Sequence, residues 1–210
     1  NNVYIAKIFN QDMNVYSKYI KINLPRTLKI ISSLDHLSIL KFKGFIPVNF
    51  QNKPNLVLVS EFCPNGKLSD LLKNVRKNTG DISNFTSTKK LINIYGIASA
   101  MRYLHSKNII HQKLQSNTIF LDESYFPKIT GFNESKELPK SGNNNEILID
   151  GQLVGSLKYL APEIYSGLVY SKASDVYAFA ITFNEIISGH VPYNDNYRKY
   201  NGKYSSRISF

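Results

Sequence analysis

Pro64-Asn65-Gly66 divides the chain into two stretches whose apolar residues repeat with different periods. Before it, β-branched and aromatic residues gather in short runs, at 3–9, 37–50 and 55–62, with turn chemistry at Asn52-Lys53-Pro54-Asn55 between the last two. Such runs predict strands. One helix interrupts them: Leu28, Ile31 and Leu34 fall at helical spacing, with Pro25 expected in its first turn. After the divide the helical period takes over. Leu68, Leu71, Leu72 and Val75 predict a short amphipathic helix, followed by a polar loop around Asn78-Thr79-Gly80-Asp81. Leu91, Ile94, Ala98, Met101 and Leu104 mark a longer helix with a buried stripe. A flexible loop is expected at Asn143-Asn144-Asn145. From 174 to 188 Val176, Phe179, Ala180, Phe183, Ile186 and Ile187 leave little polar face, so this helix is expected to be buried, with Gly189 as its C-terminal cap. The pattern predicts an α+β fold of two lobes, a small strand-rich lobe over 1–62 and a larger, mainly helical one over 63–210.

Composition narrows the function classes. With 210 residues, 42% hydrophobic and 20% charged, the chain can bury a core. The net charge of +11 raises the question of nucleic acid, but Lys89-Lys90 and Arg198-Lys199 are short pairs without an aromatic stacking platform, so no nucleic-acid partner is expected. No apolar run reaches the roughly 18 residues a membrane span requires, and no membrane partner is expected. The single cysteine, Cys63, permits no intrachain disulfide, and no Cys/His spacing suggests a zinc site. His36 and His105 read as packed or capping histidines. Without a leader sequence the chain is expected to be intracellular, in the cytoplasm, and its start, which lacks Met, is expected to be cut.

The stretch from Ile110 to Asp122, Ile-His-Gln-Lys-Leu-Gln-Ser-Asn-Thr-Ile-Phe-Leu-Asp, carries the most specific signal. It resembles the protein kinase catalytic loop H-R-D-L-x-x-x-N. Around it stand further motifs in the order of that family. Ile5-Ala6-Lys7 resembles the strand with the ATP-binding lysine, Ser60-Glu61-Phe62-Cys63 the hinge, and Asn65-Gly66-Lys67-Leu68 the start of the helix beyond it. Tyr103-Leu104-His105-Ser106 resembles the end of the helix before the catalytic loop, and Pro127-Lys128-Ile129 the strand leading into D-F-G. The segment from Gly155 to Glu163 resembles the one ending in A-P-E, Ser174-Asp175-Val176 opens a helix like the central one of the family, and Pro192-Tyr193 follows it. Together these resemble the eukaryotic protein kinase domain, closest in pattern to the tyrosine-kinase-like group of serine/threonine kinases. The Gly-rich loop expected before Val3 and the helices expected after Tyr193 are absent, so the resemblance implies a domain truncated at both ends.

The resemblance implies a chemistry that the residues do not supply. In the family the loop Asp takes the substrate hydroxyl proton, and the loop Asn and the D-F-G Asp hold magnesium. Here Lys113, Thr118 and Gly131 occupy those positions. A lysine is cationic near neutral pH, a glycine has no side-chain oxygen, and a threonine hydroxyl is a poor ligand for a hard cation. Glu134 is the nearest carboxylate, three positions on. Thr27 aligns with the glutamate that pairs with the ATP-binding lysine, and Gln112 with an arginine that binds an activation-segment phosphate. Ile5 and Phe120 are expected to fill space where adenine would sit.

The frame is retained where the chemistry is not. Ile31, Phe42, His111 and Phe132 match the column that links the lobes, Asp175 the residue that anchors its base, and Glu163 the end of A-P-E. Lys7, Glu61 and Cys63 remain as a remnant ATP site. The expectation is a pseudokinase that serves as a signalling or scaffold module, with other signalling proteins as partners and no cofactor. The alternatives are an ATP- and magnesium-dependent serine/threonine kinase with non-standard residues, or a non-functional fragment of a larger kinase-like protein.

Overall fold

The computed structural model describes residues 3–8, 13–46, 57–79, 83, 85–139, 146–148, 156–167 and 169–193, with backbone alone for 13–22 and 148. Three strands, β1 (Tyr4–Ile8), β2 (Phe42–Ile46) and β3 (Val57–Glu61), form an antiparallel sheet in the order β1-β3-β2. Ile5 pairs with Ser60 and Lys7 with Leu58, while Phe42 meets Ser60 from the other side. Because side chains alternate across a strand, this register brings Ile5, Lys7, Leu58, Ser60 and Phe42 towards one cleft. The stretch 38–41, expected as strand, contributes a single bridge, Ile39 to Ile129. The turn at 52–55 and the loop at 143–145 lie outside the described residues.

Helix α1 (Met13–Ser32) contains Pro25 in its interior, so the expected first-turn placement is corrected. The helix begins well before the stripe of Leu28, Ile31 and Leu34, with Met13 as its first residue. Its C-terminal half is the functional part. Ile30 is fully buried, and Arg26 Nη2 donates to the Asn133 carbonyl at 3.2 Å, tying α1 to the 3₁₀ turn Phe132–Glu134.

The second part holds α2 (Leu68–Lys77), α3 (Ser87–Ser106), α4 (Pro162–Gly167) and α5 (Lys172–Ser188). Pairs of short strands lie between them: β4 (Ile109–Ile110) with β7 (Lys136–Glu137), β5 (Ile119–Leu121) with β6 (Pro127–Ile129), and β8 (Glu146–Leu148) with β9 (Val169–Ser171). Elements this short are too brief to show a period. The α2 stripe is as expected, with Leu68, Leu71 and Leu72 buried. In α3 the buried face is Asn93, Ile97, Ala100, Met101 and Leu104, which displaces Leu91 to 62% exposure and corrects its place in the stripe. The rotation follows from a close approach: a Cβ on Gly96 would come within 2.7 Å of Pro127 Cγ, so the glycine lets α3 lie directly on β6. Asn93 is accommodated because its amide donates to the carbonyls of Lys89 and Tyr125.

Helix α5 begins with a capping box between Ser171 and Ser174 and ends at Gly189, φ +71°. It packs on α3 and β9 through Ala178, Thr182 and Ile186, but Val176, Phe183 and Ile187 are exposed. The expectation of a helix buried on all sides is therefore corrected. Below it, the carboxylate of Asp175, 2% exposed, accepts from His111 N (2.8 Å), Gln112 N (3.0 Å) and His105 Nε2 (3.0 Å). A buried carboxylate is tolerated only when its acceptor sites are filled, and here three donors fill them. Truncation by Asp175→Ala leaves two backbone donors and a ring N–H unpaired and is expected to cost about 3 kcal/mol in urea unfolding. Glu163→Ala, at an exposed acid in the first turn of α4, should change stability by less than about 0.5 kcal/mol. Equal losses would remove the anchoring role from Asp175.

Candidate functional site

The cleft between the three-stranded sheet, α1 and the loop after β4 has a volume of about 480 Å³. Ile5, Leu40, Leu58 and Phe120 form its apolar wall. Lys7, Lys67 and Lys113 also line it, and among the described residues no Asp or Glu does. Ile5 and Phe120, expected to fill the space, border it and leave it open. Glu61 and Cys63 do not reach the lining. The Glu61 carboxylate accepts from Lys41 N at 2.8 Å and lies 3.6 Å from Lys128 Nζ, while burial and the nearby Glu61 push the Cys63 thiol up to about 11.

The loop that carries Lys113 is held by its backbone. Gln112 sits at φ +64°, a left-handed conformation uncommon outside glycine, and the Asp175 carboxylate meets its N–H there. The imidazole of His111 is fully buried. Lys113 N donates to its Nδ1 at 3.2 Å, so the proton is on Nε2, which donates to the Thr130 carbonyl at 2.9 Å. The ring meets Phe132 edge-on at 5.0 Å, and Ile31 and Phe42 share the cleft with Phe132. Of the four frame positions read from sequence, His111 and Phe132 are in ring contact, and Ile31 and Phe42 line the cleft that Phe132 also lines. Gln112 Nε2 is buried without a hydrogen-bond partner among the described residues.

Lys113, Thr118 and Gly131 all line the cleft. Lys113 Nζ lies 3.8 Å from Glu134 Oε1, so the carboxylate nearest in sequence serves the lysine. Glu134 Oε1 also accepts from Asn133 Nδ2 at 2.6 Å. The Thr118 hydroxyl is committed to its own loop: it accepts from Gln115 N at 3.2 Å and faces the carbonyls of Gln115 (2.9 Å) and Lys113 (3.1 Å). Gly131 has φ +91°, and a Cβ there would lie 3.0 Å from Thr118 Cγ2. The threonine methyl occupies the room a side chain at 131 would need. This donor set does not fit a magnesium site: one position has no ligand atom, one hydroxyl is spent, and a lysine lines the same cleft. Among the described residues no group of three His, Cys, Asp or Glu is placed to hold a metal. On the α1 side, Thr27 is buried at the cleft edge, its hydroxyl donating to the Asn23 carbonyl at 2.8 Å.

With this geometry in hand, comparison with known proteins decides the family. The model of the protein tyrosine and serine/threonine kinase family matches residues 5–204. The chain belongs to the protein kinase family. It is 28% identical over 192 residues to 3-phosphoinositide-dependent protein kinase B of Dictyostelium discoideum, covering 91% of this chain and 20% of that protein. Mitogen-activated protein kinase kinase kinase 13 of Homo sapiens is 30% identical over 168 residues, 80% of this chain and 16% of that protein. L-type lectin-domain containing receptor kinase VI.2 of Arabidopsis thaliana is 28% identical over 195 residues, 90% and 28% respectively. The chain therefore spans less than a third of the length of each of these kinases. Among its described residues no helix is long and apolar enough to cross a membrane.

The sequence marks the kinase-family loop residues but not two partnerships: Glu134, three positions after Gly131, pairs with Lys113, and Lys67, at the start of a helix, lines the cleft. Charge sign alone could have flagged the first; the second needed the fold.

Two outcomes follow for this kinase-family domain. Gly131→Ala should lower stability by about 1 kcal/mol or more, through the left-handed backbone and the contact with Thr118. Thr118→Ser in the same chain, which removes the methyl and keeps the hydroxyl, should recover part of that loss in a double-mutant cycle. Burial also holds the His111 imidazole below its ordinary value of 6.5. The unfolded chain then takes up the proton that the folded one refuses, so stability should fall as pH drops below about 6.5, by at most about 1.4 kcal/mol per unit for one proton. His36, also lowered by burial, adds in the same direction. His111→Phe should flatten the profile measured by urea unfolding between pH 5 and 8; an unchanged slope would assign it elsewhere.

Proposed function

We propose that this domain is a pseudokinase of the tyrosine-kinase-like group, a kinase fold that transfers no phosphate and acts by presenting surfaces to other signalling proteins. The observation that carries the reading is the pairing of Lys113 with Glu134 at the base position, 3.8 Å apart. A general base must accept a proton from the substrate hydroxyl, and an ammonium held by a carboxylate has no acceptor to offer. Phosphoryl transfer depends on positioning and charge neutralisation by metal ions, and the ligand positions are a glycine and a committed hydroxyl. Loss of the base alone costs about two to four powers of ten in rate. The family frame supports the other half of the proposal, because a folded loop and column keep the surfaces in place without catalysis.

With magnesium and ATP the purified domain should incorporate no phosphate into itself or into a basic protein substrate beyond a Lys7→Ala control. Incorporation above that control would establish an active kinase with non-standard residues. The triple substitution Lys113→Asp, Thr118→Asn, Gly131→Asp should remain feeble, since Thr27 still stands where the family places the glutamate that pairs with Lys7. Vigorous transfer by the triple variant would show that those three positions alone separate this domain from an active kinase.

A further inference from the structure

Two parts of unlike construction, the three-stranded sheet with α1 and the mainly helical remainder, are joined by the chain from Phe62 to Lys67. A second attachment runs through β6. Leu40 N donates to the Ile129 carbonyl at 2.9 Å and Ile129 N to the Ser38 carbonyl at 2.8 Å, which stitches the stretch between α1 and β2 to the helical part. The neighbouring residue, Lys128, reaches the same junction by its side chain. Its Nζ lies 3.6 Å from Glu61 Oε1, at the end of β3, and 3.9 Å from Asp122 Oδ2, in the turn between β5 and β6. Each carboxylate is itself fixed. Glu61 Oε1 accepts from Lys41 N at 2.8 Å. Asp122 Oδ1 accepts from Ser124 N and Phe126 N, both at 2.9 Å, and the Asp122 carbonyl accepts from Asn65 Nδ2 at 2.6 Å. The Lys128 side chain is only 15% exposed, against 70% for Lys29 in its pair with Glu137. One ammonium thus faces an acid of each part. Withdrawing it leaves two partly desolvated carboxylates without their counter-charge, which costs more than the loss of an exposed pair. None of the three residues lines the cleft.

We propose that Lys128 is the positioning residue that holds the strand-rich and helical parts in one relative orientation without a ligand, its ammonium shared between Glu61 of the first part and Asp122 of the second. The backbone bonds of Ile129 act at one point and serve as a pivot. The Lys128 ammonium beside them supplies a second point of attachment, and two points remove the rotation that one allows. Lys128 can serve because its own strand does not move: β6 lies directly on α3, where Pro127 meets Gly96. A swing of the sheet about the connecting chain draws Glu61 away from Lys128 and opens the junction around Cys63, which is buried there. The proposal stands whether or not the domain transfers phosphate.

Cys63, the single cysteine of the chain, is the reporter, because a thiol reagent reaches a buried thiol only when the junction opens. The test is the rate at which excess dithiobis(nitrobenzoate) labels the purified chain, followed by absorbance at urea concentrations well below the unfolding transition. Lys128→Met should label about tenfold faster than the parent or more, and Lys128→Arg, which keeps the charge, should stay within about threefold of it. Reagent chemistry works against this result. The Lys128 charge lowers the Cys63 pKa, so its removal leaves less thiolate and slows the intrinsic reaction. Lys29→Met, which breaks an exposed pair between α1 and β7, should label as the parent does. The accelerated rate should be nearly independent of urea, the mark of a local opening that exposes little surface, whereas labelling through global unfolding rises steeply with urea. Where Lys128→Met does not fold, Glu61→Gln carries the test by hydrogen exchange: the Leu40 and Ile129 amides should exchange about tenfold faster while those of α3 stay as they are. Parent-like labelling of Lys128→Met, equal acceleration by Lys29→Met, a rate that follows urea as global unfolding does, or unchanged exchange at Leu40 and Ile129 in Glu61→Gln would each overturn the proposal.

Discussion

The buried carboxylate of Asp175 sets the position of everything on the catalytic-loop side of the cleft. It sits in the first turn of α5, where the helix dipole favours negative charge, and it accepts two consecutive backbone N–H groups from His111 and Gln112. Two adjacent donors can point at one carboxylate only if the backbone bends sharply, and Gln112 at φ +64° is that bend. The bend turns His111 inward to Thr130 and Phe132 and leaves Lys113 at the cleft. A helix that is itself well capped thus dictates the conformation of a loop more than sixty residues earlier in the chain.

This arrangement explains how the kinase fold is held independently of the side chains at the floor of its cleft. The frame is built from backbone hydrogen bonds and buried apolar contacts, neither of which depends on the side chains at 113, 118 and 131. Those positions face the cleft or the loop interior, where the replacements make their own local arrangements. Thr118 hydrogen-bonds within the loop, its methyl packs into the space above Gly131, and Lys113 pairs with Glu134. Lys113 and Thr118 thus find partners for their polar atoms.

The electrostatic consequence is concentrated rather than spread. The +11 net charge of the whole chain says little by itself about partners. At the cleft, partial desolvation and then the charges of Lys113 and Lys67 lower the pKa of Lys7, which is still exposed. Lys29 pairs with Glu137 at 3.0 Å on the surface, and such exposed pairs contribute little.

Much of the fold was legible in the residues. The short β-branched runs, the stripe of Leu68, Leu71 and Leu72, the cap at Gly189 and the family motifs placed the sheet, two helices and the loop, because periodicity and local backbone chemistry act over a few residues. Sequence also determined which chemical groups stand at the family positions, since identity needs no geometry. Tertiary structure decided the rest. The turn of α3 that exposes Leu91 follows from Gly96 lying on Pro127; the exposed face of α5 depends on what packs against it; and the short strand pairs are too brief for any pattern. The convergence of Lys7, Lys67 and Lys113 was likewise beyond reading, because residues from three separate elements become neighbours only when the sheet, α2 and the loop after β4 close on one volume. Local propensity has no term for such contacts, and long-range packing alone supplies them.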